Sequence, residues 1–152
     1  MSVRLSPDEA WAAVEAGHTG IFTSLRRDGT PIALPIWFVV LERRIYLSGQ
    51  ARAKRVARIR RDPRVSFLVE SGERWAELRA VHLTGRARVV TDPELLARVA
   101  VSLDAKYRAF RTPRAAMPAA TRAHYEGRLA TIEITPDMRM LSWDNARLGL
   151  PR

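Results

Sequence analysis

Cysteine is absent from this 152-residue chain. Its absence excludes a disulfide framework, a thiolate zinc site, an iron–sulfur cluster and a cysteine nucleophile. Histidine is scarce as well, because His18, His82 and His124 are the only three and stand far apart. This spacing excludes a helical HExxH metal site, and we expect no bound metal.

Long apolar runs are also missing. No run approaches the ~18 residues of a transmembrane helix, and the first residues lack the apolar core of a signal peptide. We therefore expect a cytoplasmic protein with no membrane partner. The hydrophobic fraction of 47% argues against disorder. The length is typical of one domain, and we expect residues 1–152 to form it.

Lysine is rare in a strongly basic chain. The sequence has 26 Lys+Arg against 16 Asp+Glu, a formal net charge of +10, and only Lys54 and Lys106 are lysines. Such a charge favours an anionic partner, either nucleic acid or a phosphorylated small molecule. The arginines are dispersed, and Trp37 and Phe38 lie in an apolar run that is unsuited to an exposed base-stacking platform. Nucleic acid is therefore not the favoured partner.

The first half of the chain predicts a helix followed by strands. Ser6, Pro7 and Glu9 form a capping box that begins a helix, which Gly17 ends. Asp28-Gly29 predicts a hairpin turn after a strand at 20–25. Residues 30–41 are apolar on both faces, which predicts a single strand in the centre of a sheet, although Pro35 indicates an edge or a bulge.

The second half predicts two more helices and further strands. The helices cover residues 52–61 and the segment from Asp92 to about residue 107. Strands are expected near 65–69, 76–90 and 130–134, with a bulge at Gly85. Pro136-Asp137 predicts a turn before a last strand at 140–143, and the tail is expected to be extended. The pattern indicates a mainly β protein, a barrel of six or seven antiparallel strands with about three peripheral helices.

Familiar catalytic patterns are missing. The sequence has no GxSxG nucleophile elbow, no GxxxxGKS phosphate loop and no GxGxxG after a strand. Asp8, Glu9, Asp92 and Glu94 are interpreted as helix caps rather than acids or bases. We assign no catalytic residue from the sequence.

One constellation suggests a cofactor. An apolar strand at 34–38 precedes a strand that ends at residues 46–48, and a basic helix begins near Arg52. Free N–H groups at a helix start bind phosphate, and an apolar strand can support a flat ring. The alternative is an ordinary amphipathic helix whose basic residues face water.

These segments resemble a known family. The similarity rests on the order and spacing of residues 23–38, 44–48, 53–55, 61–63, 77–79, 84–87 and 142–144. Together they resemble the pyridoxamine 5′-phosphate oxidase-like, FMN-binding split-barrel superfamily, and within it the flavin/deazaflavin oxidoreductase branch. The resemblance implies a split β-barrel that forms a homodimer with cofactor sites at the subunit interface.

The resemblance also implies a set of site residues. Pro35, Ile36, Trp37 and Phe38 would flank the ring of coenzyme F420 or FMN, and Leu47 and Ser48 would line its ribityl chain. The phosphate would be bound by Arg52, Lys54 and Arg55. Trp75 and Trp143 are weaker candidates for contacts from the partner chain, with core packing as the alternative. Residues 108–118 are a candidate wall of the substrate pocket.

The implied function is that of an oxidoreductase, with hydride transfer to a small unsaturated organic substrate. Surplus arginine favours coenzyme F420 over FMN, because F420 carries an oligoglutamate tail besides its phosphate. The alternative is a non-catalytic flavin- or haem-binding split-barrel protein, in which His82 or His18 would be an axial ligand. The substrate itself cannot be read from the sequence.

Overall fold

Seven strands and four helices make up the fold. The structure is a computed structural model that describes residues 2–150. The strands are β1 (Gly20–Leu25), β2 (Pro31–Ile36), β3 (Val39–Leu41), β4 (Arg44–Gln50), β5 (Arg64–Ser71), β6 (Arg79–Val89) and β7 (Leu129–Asp144). The helices are α1 (Pro7–Ala16), α2 (Lys54–Arg61), α3 (Pro93–Tyr107) and the short α4 (Ala119–His124).

All seven strands belong to one antiparallel sheet in the order β2-β1-β5-β6-β7-β4-β3. The two edge strands, β2 and β3, are consecutive in the chain and are joined only by Trp37 and Phe38. Three Cα–Cα steps span at most about 11 Å, so the sheet has to curl until its two edges approach each other. The result is a curled half-barrel with peripheral helices, which confirms the predicted mainly β split-barrel class.

The prediction of one central strand over residues 30–41 is wrong. The segment forms two strands at opposite edges of the sheet, and β2 is largely exposed. The chain leaves the β2 ladder at Trp37 and Phe38 and enters the other edge as β3. Pro35, which has no N–H, lies in an edge strand where a missing donor is tolerated. The apolar pattern on both faces therefore comes from two edge strands and the two-residue link between them, rather than from one strand that is covered on both sides.

The predicted turn at Pro136-Asp137 is also wrong. β7 runs through this position as one 16-residue strand. Its pairing with β6 shifts there, because Leu83 pairs with Met140 and Gly85 with Pro136. Gly85 marks this bulge as predicted, and a Cβ on it would lie 2.4 Å from the Thr135 carbonyl oxygen. The extra residues are absorbed by the bulge, so the strand bends instead of turning back.

The helices begin and end close to the predicted positions. Ser6 and Glu9 form the capping box of α1, and Ala10, Trp11 and Val14 are buried. Asp92 caps α3, which packs Val99 and Leu103 into a second hydrophobic cluster. α2 begins at Lys54, two residues later than predicted, and its N-cap residue Ala53 has no side chain that could cap the first turn.

The remaining segments are short. Residues Arg108–Phe110, Arg114–Ala116 and Asn145–Leu148 form 3-10 turns, so Arg147 and Leu148 are helical rather than extended as predicted. The end of that predicted tail, residues 151–152, lies outside the described residues. Within residues 2–150, no helix is long and apolar enough to span a membrane.

Candidate functional site

A shallow groove, with a cavity volume of only about 10 Å³, lies between the edge strand β2 and helix α2. Its apolar wall comes from alternate β2 side chains and one core aromatic ring, and its polar wall comes from α2. The lining residues are Phe22, Ile32, Leu34, Pro35, Ile36, Arg55 and Arg58. Leu34 is 50% exposed even though it is a large hydrophobic residue. An exposed apolar edge strand is a liability unless something covers it, so this wall has the character of a binding surface.

Arg55 is the central basic residue of the groove. Its guanidinium lies against the backbone of Gly49 in β4, where an added Cβ would be 2.0 Å from Nη2. Glycine at position 49 therefore creates the space that the guanidinium occupies. Burial lowers the pKa of Arg55, and the nearby charge of Arg58 lowers it further. Arg55 has no hydrogen-bond or ion-pair partner among residues 2–150, so its donors are available to an anion.

A residue of β1 holds the side chain of Arg58 in place. Its Nε donates a hydrogen bond to Ser24 Oγ at 2.8 Å, and Ser24 in β1 is only 1% exposed. This contact uses only Nε, so the terminal nitrogens of Arg58 keep their donors. Burial lowers the pKa of Arg58, as do the charges of Arg26 and Arg61. The groove thus has two guanidinium groups beside an apolar strand, and Ser24 holds that of Arg58.

The structure brings some of the predicted site residues together. Pro35, Ile36 and Arg55 line the groove. Lys54 is exposed at the first turn of α2, one residue before Arg55. The assignment of these residues to a ring and a phosphate stays a prediction.

Other predicted residues have structural partners. Phe38 and Leu47 are fully buried in the core, so neither offers a side-chain surface to a ligand. Trp37 stacks on Tyr107, with ring centroids 4.4 Å apart and planes 4° from parallel. Ser48 Oγ donates to the Ala130 carbonyl at 3.4 Å. Both Trp37 and Ser48 remain partly exposed.

Arg52 lies just before α2 and binds another segment. Its Nη2 donates to the His124 carbonyl at 2.8 Å, and Gln50 Nε2 donates to the Tyr125 carbonyl at 3.1 Å. The loop after β4 therefore holds the C-terminal end of α4. Arg52 keeps further donors that this contact does not use.

Four groove residues are absent from the predicted site, namely Phe22, Ile32, Leu34 and Arg58. Ile32 and Leu34 alternate with Ile36 on one face of β2, and Arg58 follows Arg55 by one helical turn. The signal was therefore present in the spacing. It was not used because residues 30–41 were interpreted as a strand with both faces covered.

The outer face of the sheet, opposite α2, has two rows without Asp, Glu, Lys or Arg, between a row that contains Arg64 and Arg86 and a row that contains Glu70. One row of directly paired residues crosses five strands and contains Pro35, Ile21, Leu68, His82 and Leu141. The next row contains Ala33, Thr23, Ser66 and Thr84. Leu141 is 65% exposed, and the same surface continues to Trp143, which is 39% exposed. Two rows without a charged side chain are notable in a chain with 42 charged residues of both signs.

The histidines and the other tryptophan lie elsewhere. None of the three histidines lines the groove. His18 packs edge-on against Phe110 and Trp37, and His82 lies in the row of the outer face that contains Leu141. Trp75 is 62% exposed, so neither Trp75 nor Trp143 is a core residue.

Comparison with known proteins identifies the family. The family model described as pyridoxamine 5′-phosphate oxidase matches residues 6–143. The chain belongs to the pyridoxamine 5′-phosphate oxidase family. This membership confirms the resemblance inferred from the sequence. No curated protein matches the chain.

Solved structures agree with this assignment. The conserved hypothetical protein Rv2991 from Mycobacterium tuberculosis is 32% identical, with a TM-score of 0.83 over 99% of this chain and 92% of that one. An F420 reductase is 19% identical, with a TM-score of 0.64 over 90% of this chain and 98% of that one. The haem storage protein HutZ from Vibrio cholerae is 13% identical, with a TM-score of 0.67 over 94% of this chain and 96% of that one. The last two share the fold alone.

Proposed function

We propose that this protein is an oxidoreductase that binds coenzyme F420 or FMN in the groove between β2 and α2. The observation that carries the proposal is the half-buried, unpartnered guanidinium of Arg55 beside an exposed apolar strand. A ligand with a flat ring and a phosphate satisfies both features at once. The ring covers Leu34 and Ile36, and the phosphate accepts hydrogen bonds from Arg55.

The start of α2 supports the phosphate position. Ala53 cannot cap the helix with its side chain, and of the first-turn N–H groups that of Val56 donates to the Ala53 carbonyl at 2.9 Å. The N–H groups of Lys54 and Arg55 therefore have no capping side chain. A phosphate oxygen can take that place, and the helix dipole favours its negative charge. Lys54 is exposed at this turn, and Arg52 keeps spare donors nearby. These two residues reinforce the phosphate contact that Arg55 makes.

The chemistry in this proposal is hydride transfer to a small unsaturated organic substrate, and the bound ring would supply the hydride. The protein's part is to bind, orient and exclude water. Ile32, Leu34 and Ile36 give the ring an apolar support, and Arg55 and Arg58 fix its charged end. No residue of the groove is required to act as acid or base. The surplus of arginine favours coenzyme F420 over FMN.

The proposed assembly is a homodimer with the cofactor sites at its interface. The support is one uncharged row on the outer face of the sheet, in which Leu68, His82 and Leu141 are exposed or half-exposed. The row ends at Pro35, which also lines the groove. Covering this row with a second copy removes Leu68 and Leu141 from water and brings the partner to the edge of the groove. Analytical ultracentrifugation tests this: the protein should sediment as a dimer, and Leu68→Arg should give monomers. A monomeric wild-type protein would contradict the dimer.

Ligand titration tests the proposed function. Purified protein is titrated separately with coenzyme F420, FMN and haem, and binding is followed by fluorescence quenching or Soret absorbance. The proposal expects saturable binding of F420 or FMN with one site per chain. Tight binding of haem alone would overturn it in favour of the haem-binding alternative. Oxidation of the reduced, bound cofactor by an unsaturated ketone or a quinone, which accepts the hydride, then tests turnover.

A further inference from the structure

Four arginines form a continuous track from the groove to the β1–β2 hairpin. Arg55 and Arg58 line the groove, and Arg58 is close enough to Arg26 and Arg61 for their charges to repel its own. Arg61 Nη2 donates to the Leu25 carbonyl at 2.7 Å, beside Arg26. The track therefore runs along α2 and ends at the turn after β1.

The track has more arginines than nearby carboxylates. None of the four arginines forms an ion pair within residues 2–150. Asp28 and Asp62 are close enough for the charges of Arg26 and Arg61 to help lower their pKa values, but Asp28 accepts from the Thr30 backbone and Asp62 is held by Arg64. The track therefore keeps a net positive charge, and a bound polyanion relieves the repulsion among its arginines.

The track is also pre-organised. Ser24 holds the Nε of Arg58, and the Leu25 carbonyl holds one end of Arg61. Each contact leaves other N–H donors free, because a guanidinium has five donors in a fixed plane. Arginines held this way lose less rotamer entropy on binding than free surface side chains do.

We propose that Arg26 and Arg61 form a second anion subsite, which binds an acidic group connected to the ring-bearing ligand beyond its first phosphate. The chemical class is a flexible oligoanion, either a chain of carboxylates or a diphosphate. This subsite rests on the proposed function, because Arg55 and Arg58 would hold the nearer phosphate of the same ligand. It explains why the basic residues of α2 continue past the groove.

The experiment compares ligands that differ in their tails. Kd values for FMN, FAD and coenzyme F420 are measured for the wild type, the double variant R26Q/R61Q and the control R27Q/R60Q. The control removes the same charge from exposed neighbours on the same hairpin and helix. R26Q/R61Q should weaken the binding of a tailed ligand by about 10-fold, as expected for two exposed charge contacts, and should leave FMN within about 2-fold.

The three ligands distinguish the two chemical classes of acidic group. A loss confined to F420 assigns the subsite to carboxylates, and a loss confined to FAD assigns it to diphosphate. Equal losses for FMN and the tailed ligands, or an equal effect of R27Q/R60Q, would overturn the subsite in favour of a general charge effect. An unchanged affinity for both tailed ligands would overturn it as well.

A second measurement separates the subsite from the proposed function. A tri-γ-glutamate peptide and inorganic pyrophosphate are added to the wild type and to R26Q/R61Q without any ring-bearing ligand, and the Tm is followed. The subsite predicts that at least one probe raises the Tm of the wild type and that R26Q/R61Q loses this rise. A protein that binds FMN yet responds to neither probe would retain the proposed function and lose the subsite. A protein whose Tm responds to a probe but which binds neither FMN nor F420 would retain the subsite and lose the proposed function.

Discussion

The hydroxyl of Tyr107 accepts a hydrogen bond from the backbone N–H of Phe38 at 2.8 Å. The same oxygen lies 2.8 Å from the carbonyls of His18 and Phe38, to one of which it donates. Phe38 belongs to the two-residue link between the edge strands, and Tyr107 is the last residue of α3. One buried hydroxyl thus holds the crossing that closes the half-barrel.

Tyr107→Phe should destabilise the protein. It removes the acceptor of a buried backbone N–H and keeps the aromatic ring that stacks on Trp37. We expect a loss of about 1–3 kcal/mol in the free energy of unfolding, as for a buried polar group left unpaired. Urea denaturation measures it, with Tyr125→Phe at an exposed tyrosine as the control. Equal midpoints for the two variants would contradict the role of the hydroxyl.

Lys106 contacts the same link between β2 and β3 and makes the stability of the protein depend on pH. Its Nζ donates to the carbonyls of Gly17 and Phe38, and burial lowers its pKa to about 8 from an ordinary value of 10.5. Between about pH 8 and 10.5 the unfolded chain binds more protons than the folded one, so the stability contributed by this group rises with pH. The free energy of unfolding of the wild type, relative to that of Lys106→Met, should therefore increase as the pH rises from about 8 to 10.5. Parallel pH curves would show that Lys106 has an ordinary pKa.

Glu133 is a buried carboxylate, only 2% exposed, in the paired row of β4, β7 and β6. Burial raises its pKa, but hydrogen bonds from Arg88 at 2.8 Å and Tyr46 at 2.7 Å outweigh burial and lower the pKa below 4.5. The stability that this carboxylate contributes is present above pH 4.5 and is lost as pH falls through the lowered pKa.

Glu133→Gln should cost about 1–3 kcal/mol at pH 7, because Arg88 and Tyr46 lose a charged acceptor. The difference from the wild type should shrink below pH 4.5. Chemical denaturation at pH 7 and pH 3.5 measures this, with Glu73→Gln at an exposed position as the control. A difference that stays constant with pH would mean that Glu133 is not ionised in the folded protein.

Gly49→Ala tests how Arg55 is positioned. The new Cβ would meet the far end of the Arg55 side chain, which can move, so the Tm should change little while the guanidinium is displaced. We expect FMN or F420 affinity to fall about 10-fold, as for one charged hydrogen bond. In an Arg55→Met background, Gly49→Ala should cause no further loss, since both changes act on the same group. Additive losses would contradict this coupling.

Local chemistry in the sequence predicted much of the fold. The capping box at Ser6, the Asp28-Gly29 turn and the bulge at Gly85 are short-range signals, and each is confirmed. The partners of a strand are not local. The sequence could not show that residues 31–36 and 39–41 lie at opposite edges of the sheet. A run that is apolar on both faces has the same pattern whether it forms one central strand or two edge strands joined by a short link.

The site was predicted less well for the same reason. Pro35, Ile36 and Arg55 line the groove, but Phe38 and Leu47 are buried in the core, and Arg58 is absent from the predicted set. Which side of a strand faces a groove depends on the curl of the whole sheet. The contact between Gly49 and Arg55 joins a strand end to a helix, and no sequence period reports such a contact.

The groove assignment depends on Arg55 more than on any other residue. The most direct test is the Kd of FMN and coenzyme F420 for the wild type, Arg55→Met and the control Arg60→Met, an exposed arginine on the same helix. Arg55→Met should weaken binding by about 10- to 100-fold, the value of a charged hydrogen bond to phosphate, and Arg60→Met should stay within about 2-fold of the wild type. Wild-type affinity in Arg55→Met would contradict the account.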